Sequence, residues 1–159
     1  MRDLNQAIYE RLSGVEILGG AAAQAQSDLA NALAPDGLSG RPAVFLGNMN
    51  DTAVVYPCVT FRPNAGVRDH LIGQTDPVDR VTTDFEIWNN ARSLSTIVQI
   101  EDAMGRLLDE RRGVCPPLTT DGYVFMGERI IPLSLAYAKD LRAWYGVLRY
   151  QFVVSGTGA

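Results

Sequence analysis

A chain of 159 residues, 47% hydrophobic and 20% charged, has the composition of an ordinary globular protein. It is long enough to bury roughly two-thirds of the surface its unfolded form exposes, so a single domain over residues 1–159 is expected. The formal net charge of −4 argues against a protein that holds nucleic acid by neutralising phosphates, and the tight basic pair Arg111-Arg112 directly follows Asp109-Glu110. No stretch approaches the roughly 18 apolar residues that span a bilayer, and Met1-Arg2-Asp3-Leu4-Asn5 opens no signal-like apolar segment. Cys58 and Cys115 stand in unrelated contexts and imply no disulfide framework, so a reducing cytoplasm is the expected place of synthesis and assembly.

In chain order, Asp3-Leu4-Asn5-Gln6 fits a capping box, and Leu4, Ala7, Ile8, Leu12 and Val15 recur at helical spacing, which predicts a helix over 3–13. Alanines from Ala21 to Ala34 favour a second helix over 20–34, ended by Pro35, although its thin apolar face also fits a surface segment. Residues 35–42 read as a loop. Strands follow over 43–46 and 54–61, joined by a turn at Gly47 to Asp51, and Pro57 marks an edge or a bulge because it cannot donate to a ladder. Residues 63–78 form a connection too long for a tight hairpin, of the kind that often carries function.

From 79 to 88 the pattern alternates. Val81, Thr83, Phe85 and Ile87 share one side, while Arg80, Thr82, Asp84 and Glu86 share the other, as in a strand with one buried and one wet face. A helix over 93–111 is capped by Asn90 or Ser93, carries Leu94, Ile97, Ile100, Met104, Leu107 and Leu108 on its apolar stripe, and ends at Gly113 before Pro116-Pro117. The chain then reads as a hairpin over 122–154, its second strand the aromatic and β-branched run Ala143 to Val154. The expected fold class is α+β, a mainly antiparallel sheet with two principal helices packed on one face.

Reactive chemistry is sparse. His70 is the one histidine, in a glycine-containing loop beside Arg68 and Asp69; a general base needs a partner within hydrogen-bond reach, so a solvated loop residue is the simpler reading. Cys58 alternates within a strand as a small apolar residue, and Cys115 lacks a nucleophile signature. One histidine and two distant cysteines do not make a metal site, and no phosphate-binding glycine loop occurs, so neither metal nor cofactor is expected. Asp76, Asp79, Asp84 and Glu86 cluster in sequence, which fits a hydrolytic carboxylate pair, a cation site or, more simply, a wet strand face. Trp144 and Tyr145 fit a stacking platform or strand packing.

Taken together, the Leu4 to Leu12 helix, the Tyr56-Pro57-Cys58-Val59-Thr60-Phe61 strand, the Val81 to Trp88 strand with the Leu94 to Arg111 helix, and the closing Trp144-Tyr145-Gly146-Val147-Leu148-Arg149-Tyr150 strand resemble the tail-terminator, or tail-completion, family of long-tailed bacteriophages. The alanine-rich stretch 21–34 is longer than that family's usual connection. The resemblance implies a non-enzymatic virion protein in the tail or neck. It would form a homohexameric ring that stops tail-tube polymerisation and joins the tail to a head-side connector, or stopper, protein. Its partners would be further copies of itself, the tail tube protein and that connector, with DNA only in transit and no membrane.

On that reading Arg68, Asp69, His70, Leu71, Asp76 and Asp79 are candidates for the ring or tube interface, and the Pro57 strand for a ring edge. Asp84 and Glu86, or Asp76 and Asp79, are candidates for a channel lining whose like charge lets DNA pass. Two alternatives stay open. One is a head-completion or stopper protein; the other is a small α+β ligand-binding domain or enzyme using His70, Asp69 or Cys115.

Overall fold

The computed structural model describes residues 2–47, 55–63, 67–69, 78–91, 94–120 and 123–157. In chain order they form α1 (Arg2–Ser13), α2 (Gly20–Ala32), β1 (Val44–Leu46), β2 (Cys58–Pro63), β3 (Val67–Asp69), β4 (Val78–Asn89), α3 (Ser95–Leu108), β5 (Leu118–Thr120), β6 (Tyr123–Ala138) and β7 (Ala143–Thr157), with a 3-10 turn at Glu110–Arg112 after α3. The described strands make one sheet in the order β1-β2-β4-β7-β6-β5, with β3 added beside β4. Every pairing is antiparallel except β1 with β2. The α+β class is therefore as the sequence predicts.

The alternation along β4 decides which side the helices take. Val81, Phe85 and Ile87 are fully buried beside Leu148, Tyr150 and Phe152 of β7 and Phe61 of β2. Phe61 stacks on Phe85 at 5.7 Å, and Phe85 meets Tyr150 edge-on at 5.3 Å. On top lie Ile97, Ile100, Ala103, Met104, Leu107 and Leu108 of α3 and Leu4, Ile8 and Leu12 of α1. Each such aliphatic or aromatic side chain contributes roughly 1.5–3 kcal/mol on burial.

The alanine-rich segment is a packed helix. Ala22, Ala25 and Leu29 are buried, and α2 lies against α3, because small side chains let two backbones approach without needing a broad apolar stripe. Two glycines of the hairpin serve the same close approach. A Cβ on Gly127 would stand 2.2 Å from the Leu108 carbonyl oxygen, and one on Gly146 would stand 2.4 Å from Leu133 and 3.2 Å from Ile97.

Four expectations need correction. Pro57 marks no edge: it lies ahead of β2 behind a cis Tyr56–Pro57 bond, and β2 sits between β1 and β4. β1 and β2 run parallel, so they are not the two arms of a hairpin; residues 48–51 of the expected turn lie outside the described residues. The N-cap of α3 falls on Leu94, which makes no side-chain cap bond, so Asn90 does not cap it; Ser93 lies outside the described residues. At the first helix, Asp3 sits inside the first turn, and Val15 lies beyond the end of α1 and is exposed. Gly113, by contrast, does close the helical region, adopting φ 66° after the 3-10 turn.

Candidate interaction surfaces

The face of the sheet turned away from the helices carries the polar half of each strand. Asp84 stands in register between Arg62 of β2 and Arg149 of β7. Arg149 donates to both Asp84 carboxylate oxygens, at 2.5 and 3.1 Å, a fork that a lysine could not supply. The hydrogen bond to Asp84, followed by its charge, holds the Arg149 guanidinium above its ordinary pKa. Glu86 accepts a bond from the Trp88 indole N–H at 3.1 Å and lies 3.5 Å from the Thr60 hydroxyl. Both carboxylates thus occupy the wet face, as expected, but each is engaged by a neighbour. Arg62, Arg149 and Arg80 share that face, so it is balanced in charge and not an acidic wall.

At one end of this face Trp88 stacks on Tyr145 at 4.7 Å over a small second core of Ala43, Cys58 and Ala143. Burial pushes the Cys58 thiol up to about 12, which removes it as a nucleophile. Burial likewise raises Cys115. Among the described residues no group of acidic, histidine and cysteine side chains is arranged to hold a metal ion.

Of the residues expected at an interface, Arg68 and Asp69 lie on β3 and Asp79 on β4, and the backbone register sets Arg68 opposite Asp79. β3 gives part of the long connection a strand structure that the sequence did not reveal. His70, Leu71 and Asp76 lie outside the described residues.

The helical side is held by charge. Arg11, only 1% exposed, forks onto Glu16 at 2.8 and 2.9 Å and donates to the carbonyls of Leu107 (3.3 Å), Pro116 (2.5 Å) and Pro117 (3.3 Å). One guanidinium therefore ties α1 to the C-terminus of α3 and to the approach of β5. Asp109 accepts from the Arg111 backbone and side chain, and Arg111 reaches on to Glu128 of β6 at 3.0 Å. Burial alone would raise the Asp109 carboxyl, but the bonds from Arg111 outweigh it and hold it below the usual range. Arg106 joins Asp28 of α2 at 2.9 Å to Asp102 at 3.2 Å, and Arg112 also meets Asp102. An open groove of about 490 Å³ runs between α2 and α3 beside this network.

The two lateral edges of the sheet differ. β5 covers only Tyr123 to Phe125 of β6, so the rest of that long strand, from Met126 to Ala138, has β7 on one side and no described strand on the other. Met126, Ile130, Ile131, Leu135 and Tyr137 are each 41–47% exposed along it. Register shifts around Ile130 and Ile131, together with Pro132, break the ladder there, features that discourage indiscriminate strand addition. Where β6 turns into β7, Tyr137 leans on Trp144 at 5.1 Å, and with Asn90 and Arg142 they line a cleft of about 560 Å³.

At the opposite edge the turn before β1 projects Leu38, which is 100% exposed. Asp36 pins that turn by accepting from the Leu38 and Ser39 backbone N–H groups, at 2.8 and 2.5 Å, and from the Ser39 hydroxyl. The Ser39 hydroxyl first, and then those backbone bonds, lower the Asp36 pKa. Sequence reading missed both features. The Asp36-Gly37 turn signal was available, but nothing local showed how far Leu38 would stand out.

No protein-family model and no curated protein matches the chain. Among solved structures, a chain of the virion of a native gene transfer agent (GTA) particle superposes with a TM-score of 0.59 at 11% identity, over 98% of this chain and 96% of that one. At that identity the likeness is one of fold.

Proposed function

We propose that this chain is a virion structural protein of a phage-like particle. Within that class we assign it the tail-terminator role: a ring at the head-proximal end of the tail that stops tube growth and meets the head-side connector. The observation that carries the reading is the fold likeness to a chain of a gene transfer agent virion over nearly the whole of both chains. The motifs that resemble the tail-terminator family support it, as does a sheet whose long β6 edge exposes apolar side chains from Met126 to Tyr137. Surfaces of this kind act by docking, and a ring needs two different ones on each copy. In the ring, the β3–β4 arm with Arg68, Asp69 and Asp79, continued by His70, Leu71 and Asp76, projects toward the tube or a neighbouring ring. The balanced open face with Asp84 and Glu86 borders the channel, where paired charges neither trap nor strongly repel passing DNA.

The test is to remove the chain from particle-producing cells and examine the products by electron microscopy. Tails of uncontrolled length, unattached to heads, are expected, and supplying the chain should restore uniform, joined particles. Normal tails on normal heads would refute the role. Uniform tails beside heads that leak DNA would move the protein to the stopper position.

A further inference from the structure

The two sheet edges carry complementary features that cannot meet within one molecule. Leu38 and Asp36 stand at the β1 edge, whereas the Tyr137–Trp144 cleft stands at the β6 edge, with β2, β4 and β7 between them. Four inter-strand steps separate the edges by on the order of 20 Å. Both features nevertheless lie at the same end of the sheet. The cross-strand register runs from Val44 beside Val59, through Cys58 opposite Trp88 and Trp88 opposite Tyr145, to Ala136 opposite Tyr145.

The chemistry matches as well. The projecting turn offers a fully exposed leucine on a loop already ordered by Asp36, so little conformational freedom remains to be lost on docking. The cleft offers two aromatic rings, and its rim is the turn Lys139-Asp140-Leu141-Arg142. Lys139 and Arg142 carry the charge opposite to that of Asp36, and Asp140 the charge opposite to that of Arg41. Ile17, the other nearly fully exposed aliphatic side chain, is no equivalent candidate. It follows Glu16, which Arg11 ties to the segment just ahead of β5, on the cleft's own flank of the sheet.

We infer that the Leu38 turn of one copy seats in the Tyr137–Trp144 cleft of the next, and that this heterologous contact is the one that builds the ring. The inference rests on the ring reading proposed above and names its surfaces. A rotation that repeats such a contact closes only if donor and acceptor lie at one height along the axis; an offset would generate a helical filament. Their shared position at one end of the sheet meets that condition for a ring whose axis runs along the strands.

The chain makes the test specific, because Lys139 is its single lysine. The purified protein, mixed from isotopically light and heavy preparations, is treated with a carbodiimide at high concentration. This reagent joins a carboxylate and an amine that are already in contact, with loss of water, and so captures even a short-lived encounter. Peptide mass spectrometry is expected to find an amide between Asp36 of one copy and Lys139 of another. Leu38→Asp, a change at a fully exposed position that leaves the fold intact by circular dichroism, should reduce that product roughly tenfold or more. Failure to find the Asp36–Lys139 link between copies would overturn the inference, as would a link that Leu38→Asp leaves unchanged.

Particle assembly separates this result from the terminator reading. Uniform, joined tails built from Leu38→Asp chain would remove the contact and leave the terminator role standing. A confirmed link in a protein whose loss leaves tails unchanged would do the reverse.

Discussion

Replacing Arg11 by methionine keeps helix propensity and most of the side chain's volume while deleting five hydrogen bonds to Glu16, Leu107, Pro116 and Pro117. The acceptors do not suffer equally. Glu16 is 31% exposed and regains water, as does Pro116 at the surface, so their losses are small. Leu107 is fully buried, and its carbonyl belongs to the last turn of α3, which has no helical partner for it. Leaving one such acceptor unsatisfied costs about 1–3 kcal/mol. The cation also lies at the negative end of the α3 dipole, a further contribution of about 0.3–1 kcal/mol. With the small loss at Glu16, a total of roughly 1.5–4 kcal/mol is expected. In a chain of this size that corresponds to a fall in melting temperature of roughly 3–16 °C. Urea unfolding followed by circular dichroism measures it directly. Arg11→Lys should fall between, because an ammonium cannot serve a carboxylate fork and three carbonyls together. A loss below about 1 kcal/mol for Arg11→Met would refute the claim that this side chain joins α1 to the end of α3.

Three other perturbations bear on different parts of the molecule. Gly127→Ala places a methyl group against the Leu108 backbone carbonyl and should cost about 1–3 kcal/mol or more, whereas Gly146→Ala meets movable side-chain ends of Leu133 and Ile97 and should cost less; reversal of that order in denaturant titrations would contradict the packing described. Burial raises the Glu110 carboxyl, and its Oε1 is buried without a hydrogen-bond partner among the described residues. A carboxyl raised in the folded state favours folding at low pH and opposes it once ionised, so Glu110→Gln should stabilise the protein at neutral pH. Its advantage should shrink as pH falls to about 4, and a constant difference across that window would show that burial of the charge is not the cause. Deleting residues 65–76 removes β3 but leaves β4 held by β2 and β7; the chain should keep its circular dichroism spectrum and lose tail joining in particle-producing cells, and normal tail length and infectivity after the deletion would defeat the role given to that arm.

Local signals revealed most of the framework. Alternation from Val81 to Ile87 marked the buried face of β4, the stripe from Ile97 to Leu108 marked the buried face of α3, and the aromatic run from Ala143 placed the closing hairpin. What escaped depends on partners distant in sequence. Arg11 reads as a solvated charge in the last turn of a helix until carbonyls 96–106 positions away close around it. Residues 21–34 show almost no apolar face because alanine packs by allowing approach, a property that only the neighbouring α3 reveals. Pro57 reads as an edge or a bulge from its missing donor, yet it lies just outside the ladder, where its carbonyl accepts from the Ala34 N–H. For the candidate interface, the sequence showed strands but not which of them end the sheet, since edge position is a property of topology.

That topology bears directly on function. A sixteen-residue strand paired by β5 along three residues, and held beyond them by Asp109 and Arg111 at Glu128 and Arg129, still leaves apolar side chains exposed from Ile130 to Tyr137. Pro132 and the flanking register shifts interrupt the free edge, so another chain cannot add along it as one uninterrupted ladder. What remains usable is the shape of its ends: an aromatic cleft at one edge and a pinned leucine turn at the other. An edge guarded against indiscriminate pairing but equipped for one shaped contact fits the ring contact proposed above, in which copies must not add to one another along an open strand.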